Sequence, residues 1–249
     1  MRSYTASSKS DRVKAVFENP QRYLTRWRTD IRIRADTTRA FAAGIEFERI
    51  LDVGCGDGSV TLPLASAHTH ITLLDLSRSM TALASSKVPP DLADHVDVRN
   101  EDFMVASFGG RRFDLIVCIG VLAHVDSPDA FVNKVASLLE PGGHLILEFT
   151  DTSHFYGRAM RLLSRLRQVF APARSSVNLF SAGSVAALAG RHGLQPVLEY
   201  RYCELGVPGL RLLGHRALYW AVRFVFGTAR GNRNGVLGNE YIRLYKHVD

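Results

Sequence analysis

The residues able to do chemistry begin with Ile50-Leu51-Asp52-Val53-Gly54-Cys55-Gly56-Asp57-Gly58-Ser59, an apolar run that passes straight into three alternate glycines. Glycine tolerates positive φ and carries no Cβ, so a ligand can lie against bare backbone. A helix expected after the turn would aim unpaired N–H groups at that ligand. A dinucleotide site wants G-x-G-x-x-G to seat a pyrophosphate. Here position 59 is Ser, and Asp52 stands two residues ahead of the first glycine. A carboxylate there repels a pyrophosphate and suits a cationic ligand. Asp75 closes the next apolar run; its two acceptor oxygens in one plane match the two hydroxyls of a ribose. His124 follows a fourth apolar run. An imidazole titrates near working pH and can take a proton from a hydroxyl.

The glycine run resembles the first motif of class I S-adenosylmethionine-dependent methyltransferases, and the resemblance extends over roughly residues 48–150. Further matches are Asp75, Asn100-Glu101-Asp102-Phe103, Phe113-Asp114-Leu115-Ile116-Val117-Cys118, and the Leu139-Glu140-Pro141-Gly142-Gly143 turn. The resemblance implies S-adenosyl-L-methionine as cofactor. It implies cofactor contacts from Asp52, Gly54, Cys55 and Gly56, and ribose contacts from Asp75 with Leu76. It places the adenine at Asp102 and Phe103, with Glu101 as the other register. The strand end Cys118-Ile119-Gly120 would pass beside the methionine part. It implies an N-terminal cap in which Tyr23 and Trp27 meet substrate, and one of Arg28, Arg32 and Arg34 meets the cofactor carboxylate. Gly120 and Ala123 stand where quinone-biosynthesis O-methyltransferases of this fold carry glutamates, so a metal-assisted mechanism is not expected and no metal ligands are assigned.

These residues need elements to hold them. Residues 46–150 alternate strand and helix: strands at Ile50–Val53, Ile71–Leu74, His95–Val98, Phe113–Ile119 and His144–Phe149, with helices from Ser59 to about Ser66, from Ser77 through Ser86 and from Ser127 to Glu140. Such alternation means parallel strands with crossover helices and a ligand at their carboxyl ends. With the resemblance, the expected fold is a Rossmann-like, doubly wound, mostly parallel seven-stranded α/β sheet with helices on both faces. Residues 1–45 form the expected helical cap. Residues 151–249 complete the domain: an amphipathic stretch His154–Phe170, a helix Ser181–His192, strands Leu194–Tyr202 and Glu240–Val248, and a mobile-looking Gly/Asn/Arg-rich loop Gly227–Gly238. Inserts at 151–178 and 205–238 are expected over the active-site edge.

The net charge of +7 is unevenly spread: +5 over residues 1–49, −7 over 50–150 and +9 over 151–249. The basic flanks suit nucleic acid, anionic lipid or an acidic small substrate. Nucleic-acid amino-methylation and cytosine carbon methylation are lowered, because Cys-Ile-Gly-Val follows the fourth strand and no Pro-Cys nucleophile is found. A small-molecule oxygen acceptor remains, lipophilic or anionic, with Arg158 and Arg161 of the first insert as substrate contacts and His124 as base. An RNA methyltransferase and a non-catalytic cofactor-binding scaffold stay open. Met1 to Lys14 is polar and basic, no run of about 18 apolar residues occurs, and the three cysteines form no C-x-x-C pair. The expected setting is cytoplasmic, with peripheral contact at an anionic membrane face open.

Overall fold

The structure, a computed structural model, describes residues 20–155, 178–203 and 214–248. Seven strands make one sheet: β1 Arg49–Val53, β2 His70–Asp75, β3 Val96–Asn100, β4 Phe113–Cys118, β5 Leu139–Thr150, β6 Leu194–Tyr202 and β7 Glu240–His247. Their order is β3-β2-β1-β4-β5-β7-β6. Strands β1 to β5 pair in parallel, and β7 runs antiparallel between β5 and β6. From β1 the chain winds outward through β2 and β3, then returns to β4 on the other side. That reversal opens a crevice at the carboxyl ends of β1 and β4, where an open α/β sheet takes its ligand.

Six α-helices are described: α1 Pro20–Arg26, α2 Arg28–Ala42, α3 Arg78–Ser86, α4 Pro128–Leu138, α5 Ala182–Arg191 and α6 His215–Phe226. Successive strand residues face opposite ways. Leu51, Val53, Ile116 and Leu145 pack with Phe131 and Val135 of α4 and Val185 and Leu188 of α5. Ile50, Leu115, Val117 and Ile146 pack with Ile33 and Phe41 of α2 and Val222 and Phe226 of α6. Both faces are thus covered, which is why β4 carries a nearly unbroken apolar run. Ser77, Ser127 and Ser181 cap α3, α4 and α5 by accepting the N–H three residues on. Each fills one of the donors a helix start leaves open.

Two expectations are corrected. No α-helix runs from Ser59 to Ser66; turns lead to a single 3-10 turn, Leu62–Leu64. Leu62 N–H still donates to Gly58 O at 2.9 Å, but Pro63 lacks the N–H that the next helical bond, to Ser59 O, needs. The 227–238 segment is structured. Gly227–Thr228 pairs antiparallel with Gly231–Asn232. The Asn232 amide donates to Phe226 O and Arg201 O and accepts from Arg201 N. Pro141-Gly142-Gly143 turns inside β5, so that Phe113 faces Leu139 and Leu115 faces His144. Most of 151–178 and part of 205–238, including Arg158 and Arg161, lie outside the described residues. Among the described residues no helix is long and apolar enough to cross a membrane.

Candidate active site

A cavity of about 380 Å³ opens at the carboxyl ends of β1, β2 and β4. Its floor is the glycine turn. Gly54, Gly56 and Gly58 have φ of +73, +55 and +74, a region that side-chain-bearing residues rarely occupy. A Cβ on Gly54 would also run into the Val121 side chain, whereas a Cβ on Gly56 would enter open space. Gly56 therefore leaves bare backbone at the cavity.

Asp75 ends β2 at the cavity wall, next to Leu76. Its Oδ2 accepts from Gly56 N at 2.9 Å and its Oδ1 from Ser77 N at 2.8 Å. Burial pushes this carboxyl upward, and the two backbone bonds oppose the shift. Each oxygen keeps lone-pair capacity for a ligand hydroxyl. Asp102 and Phe103 line the cavity beyond β3. Glu101 instead pairs with Arg99 at 2.7 Å, so of the two registers Asp102 is the acid at the wall. Asp102 Oδ1 caps Met104 N at 2.9 Å. The Phe103 ring meets Phe131 edge-on, centroids 5.2 Å apart, a flat apolar surface of fixed orientation.

Ile119, Gly120 and His124 close the side beyond β4. His124 ends the 3-10 turn Leu122–His124, and its N–H donates to Val121 O at 2.8 Å. Asn178 braces that turn: its N–H donates to Ala123 O at 2.8 Å and its amide to Val125 O at 2.7 Å. Tyr23 reaches the wall from α1, with burial pushing its hydroxyl upward.

Four expected contacts do not line the cavity. Asp52 shares the face of Ile50, is 2% exposed, and is pushed up to about 7 by burial; Val53, one residue on, reaches the wall instead. Cys55 and Cys118 are buried in the two cores, and burial pushes both thiols upward, which makes them poor nucleophiles. Trp27 stands behind Tyr23, ring centroids 6.5 Å apart.

Sequence reasoning missed Asn178 and a buried polar group at the ends of β5, β6 and β7. Arg34 Nε donates to Glu148 Oε1 at 2.7 Å. Tyr202 OH donates to the same oxygen at 3.3 Å. Glu240 accepts from Thr150 Oγ1 at 2.8 Å, and burial pushes it up to about 8. The one signal was an acid, Glu148, inside the apolar run Leu145-Ile146-Leu147-Glu148-Phe149. A carboxyl raised on folding keeps its proton where the unfolded chain has lost it, so stability falls as pH rises from the ordinary glutamate range to about 8. Glu240→Gln is expected to shrink the stability difference between pH 5 and pH 8 by on the order of 1–3 kcal/mol. Urea unfolding at both pH values reads this, and an unchanged difference would refute it.

The arrangement suits a nucleoside: paired acceptors at Asp75 for a ribose, a flat wall at Phe103 and an acceptor at Asp102 for an amino-bearing base. It does not suit a pyrophosphate, because no α-helix stands between the glycine turn and β2 and Asp75 already holds Gly56 N–H.

Comparison with known proteins agrees with this geometry. Over 117 residues, 46% of each chain, the protein is 32% identical to the ubiquinone biosynthesis O-methyltransferase of Alkalilimnicola ehrlichii. The match thus spans about half the length of that relative. Magnesium protoporphyrin IX methyltransferase of Synechocystis PCC 6803, solved with bound SAH, superposes with a TM-score of 0.64 at 19% identity, over 96% of this chain and 100% of that one. The [4+2]-cyclase SpnF superposes equally well, TM-score 0.64 at 15% identity over 98% of both chains. These two likenesses are of fold alone. A family model described as a methyltransferase domain matches residues 24–199, and with that span, topology and glycine turn, the chain belongs to the methyltransferase-domain family.

Proposed function

We propose that this protein transfers the methyl group of S-adenosylmethionine to a hydroxyl oxygen of a small molecule, lipophilic or anionic. The observation that carries the reading is that His124 faces the same cavity as Asp75, Asp102 and Phe103. The residues fit the cofactor: Asp75 would hold the ribose, Asp102 and Phe103 the adenine, the bare Gly54–Gly56 backbone the centre, and Arg34 the carboxylate. When bound, the cofactor supplies an activated methyl group on a sulfonium. The chain's own work is to align, to exclude water and to receive a proton. Tyr23, Val121 and Val125 present apolar surface around the open end. His124 takes the acceptor's O–H proton as the new carbon–oxygen bond forms, and Asn178 keeps its turn in place. The name of the relative from Alkalilimnicola ehrlichii supports an oxygen acceptor, while Gly120 and Ala123 separate this site from the glutamates of that enzyme type.

The outer face of α6 supports contact with an anionic membrane. Trp220 and Phe224 are 64% and 82% exposed, one turn apart and one turn beyond exposed Arg216. Aromatic residues beside arginine on an exposed helix face suit a lipid interface.

The test is transfer from S-adenosylmethionine carrying a labelled methyl group, with cell extract as acceptor, then organic and aqueous partition. Label in the organic phase is the expected result. Aqueous label that nuclease releases would replace the small molecule by RNA. No label despite cofactor binding would make the protein a binding scaffold. In the same assay, anionic vesicles are expected to pellet wild-type protein and to release Trp220→Ala/Phe224→Ala; equal pelleting of both would remove the membrane element.

A further inference from the structure

Glu148 lies behind the cavity, on the face of the sheet that packs against α2. It is 3% exposed. One oxygen, Oε1, is held by Arg34 and Tyr202. The other, Oε2, has no hydrogen-bond partner. A buried carboxylate oxygen without a donor is costly, and charged acceptors cost most. Oε2 faces Gly120, and a Cβ on Gly120 would stand 3.8 Å from it. Gly120 is itself part of the cavity wall, at φ +72. The wall therefore has no side chain at the point where the unsatisfied oxygen comes nearest.

Arg34 gives this oxygen its counterpart. Its guanidinium lies 2.7 Å from Glu148, and its charge acts on Tyr23 of the cavity wall. A fixed cation and a fixed anion stand side by side. An α-amino acid head carries the opposite pair, ammonium and carboxylate on one carbon. The other buried acids nearby, Asp30, Asp52 and Glu240, do not line the cavity.

We propose that Arg34 and Glu148 together form the receptor for the zwitterionic head of the cofactor, Glu148 Oε2 taking the α-ammonium and Arg34 the α-carboxylate. This rests on the cofactor reading above, in which residues 118–120 run beside the methionine part. Each charge of the head then meets its opposite, and no ion is left buried without a partner.

The experiment is calorimetric titration of three probes: S-adenosylhomocysteine, its analogue lacking the α-amino group, and 5′-methylthioadenosine, which lacks the whole head. Wild type is expected to prefer S-adenosylhomocysteine over the desamino analogue by about tenfold to a hundredfold, the worth of a hydrogen bond to a charged group. In Glu148→Gln that preference collapses to within about twofold, while affinity for 5′-methylthioadenosine stays unchanged. A preference that survives in Glu148→Gln overturns the assignment. So does an equal loss for all three probes, which marks a merely supporting role. Where Glu148→Gln does not fold, Arg34→Gln/Glu148→Gln removes both charges at once, and loss of the preference is expected there too. Wild-type protein that binds none of the probes overturns the cofactor reading itself, a distinct result from a preference that survives the substitution.

Discussion

His124→Ala is expected to lower kcat for methyl transfer by about a hundredfold to ten-thousandfold, the range a positioned general base contributes, with S-adenosylhomocysteine affinity unchanged within about threefold. The imidazole faces the cavity from the end of a single 3-10 turn. That turn is tied to Asn178 by backbone and side-chain bonds, so truncating the ring removes the proton acceptor and leaves the backbone held. Two readouts separate base from scaffold. Single-turnover rates against pH should lose their rising limb in the variant. Thermal melting should move little, because the ring is not among the residues that form the core. A variant that keeps wild-type kcat would end the assignment of His124 as base and shift the acceptor toward an atom that needs no deprotonation.

Asp75→Asn is expected to weaken S-adenosylhomocysteine binding by about a hundredfold or more. Asp75 does two jobs with one carboxylate. It receives Gly56 N–H and Ser77 N–H, which ties the glycine turn to the end of β2 and shapes the start of α3. In the proposed site it also takes the ribose hydroxyls. An amide has one acceptor oxygen, so its NH2 must face either a backbone N–H or a ribose hydroxyl. Each charge-assisted bond lost or reversed is worth about 1.5–3 kcal/mol, and two of them exceed the 2.8 kcal/mol that a hundredfold represents. The loss should be as large for 5′-methylthioadenosine as for S-adenosylhomocysteine, since both carry the ribose. That pattern contrasts with Glu148→Gln, which should spare 5′-methylthioadenosine. Binding within about threefold of wild type would remove Asp75 from the site.

The parts of the fold that were legible are those written in local chemistry. Phe113–Cys118 reads as a strand covered on both faces because nearly every residue is apolar, and Ser77, Ser127 and Ser181 each announce a helix that starts at the next residue. The helix expected after Ser59 failed because Pro63 came too late to be tolerated: it has no N–H to give Ser59 O. Of the residues that local reading named, 54, 56, 75, 102, 103 and 119 line the cavity. Asp52, Cys55 and Cys118 do not line it, because side-chain direction decides: their side chains turn into the two cores. Arg34 and Glu148 were illegible as a pair because 114 positions separate them. Only the return of β5 beneath α2 brings them together, and Asn178 reaches Val125 beside the His124 turn across 53 positions.

The place of β7 has a consequence for how the protein is made. It lies between β5 and β6, yet residues 203–239 separate it from β6. While the ribosome adds that stretch, on the order of seconds at ordinary rates, β6 has no neighbour to pair with and β5 presents an open edge. Strands β1 to β5, which carry the cavity floor, can already be knit. Glu148, by contrast, stands on an edge strand until Ile242 is laid beside it. The nascent chain thus passes through an interval in which the cavity floor is built while the edge of the strand that carries Glu148 is still open to the strands of neighbouring chains.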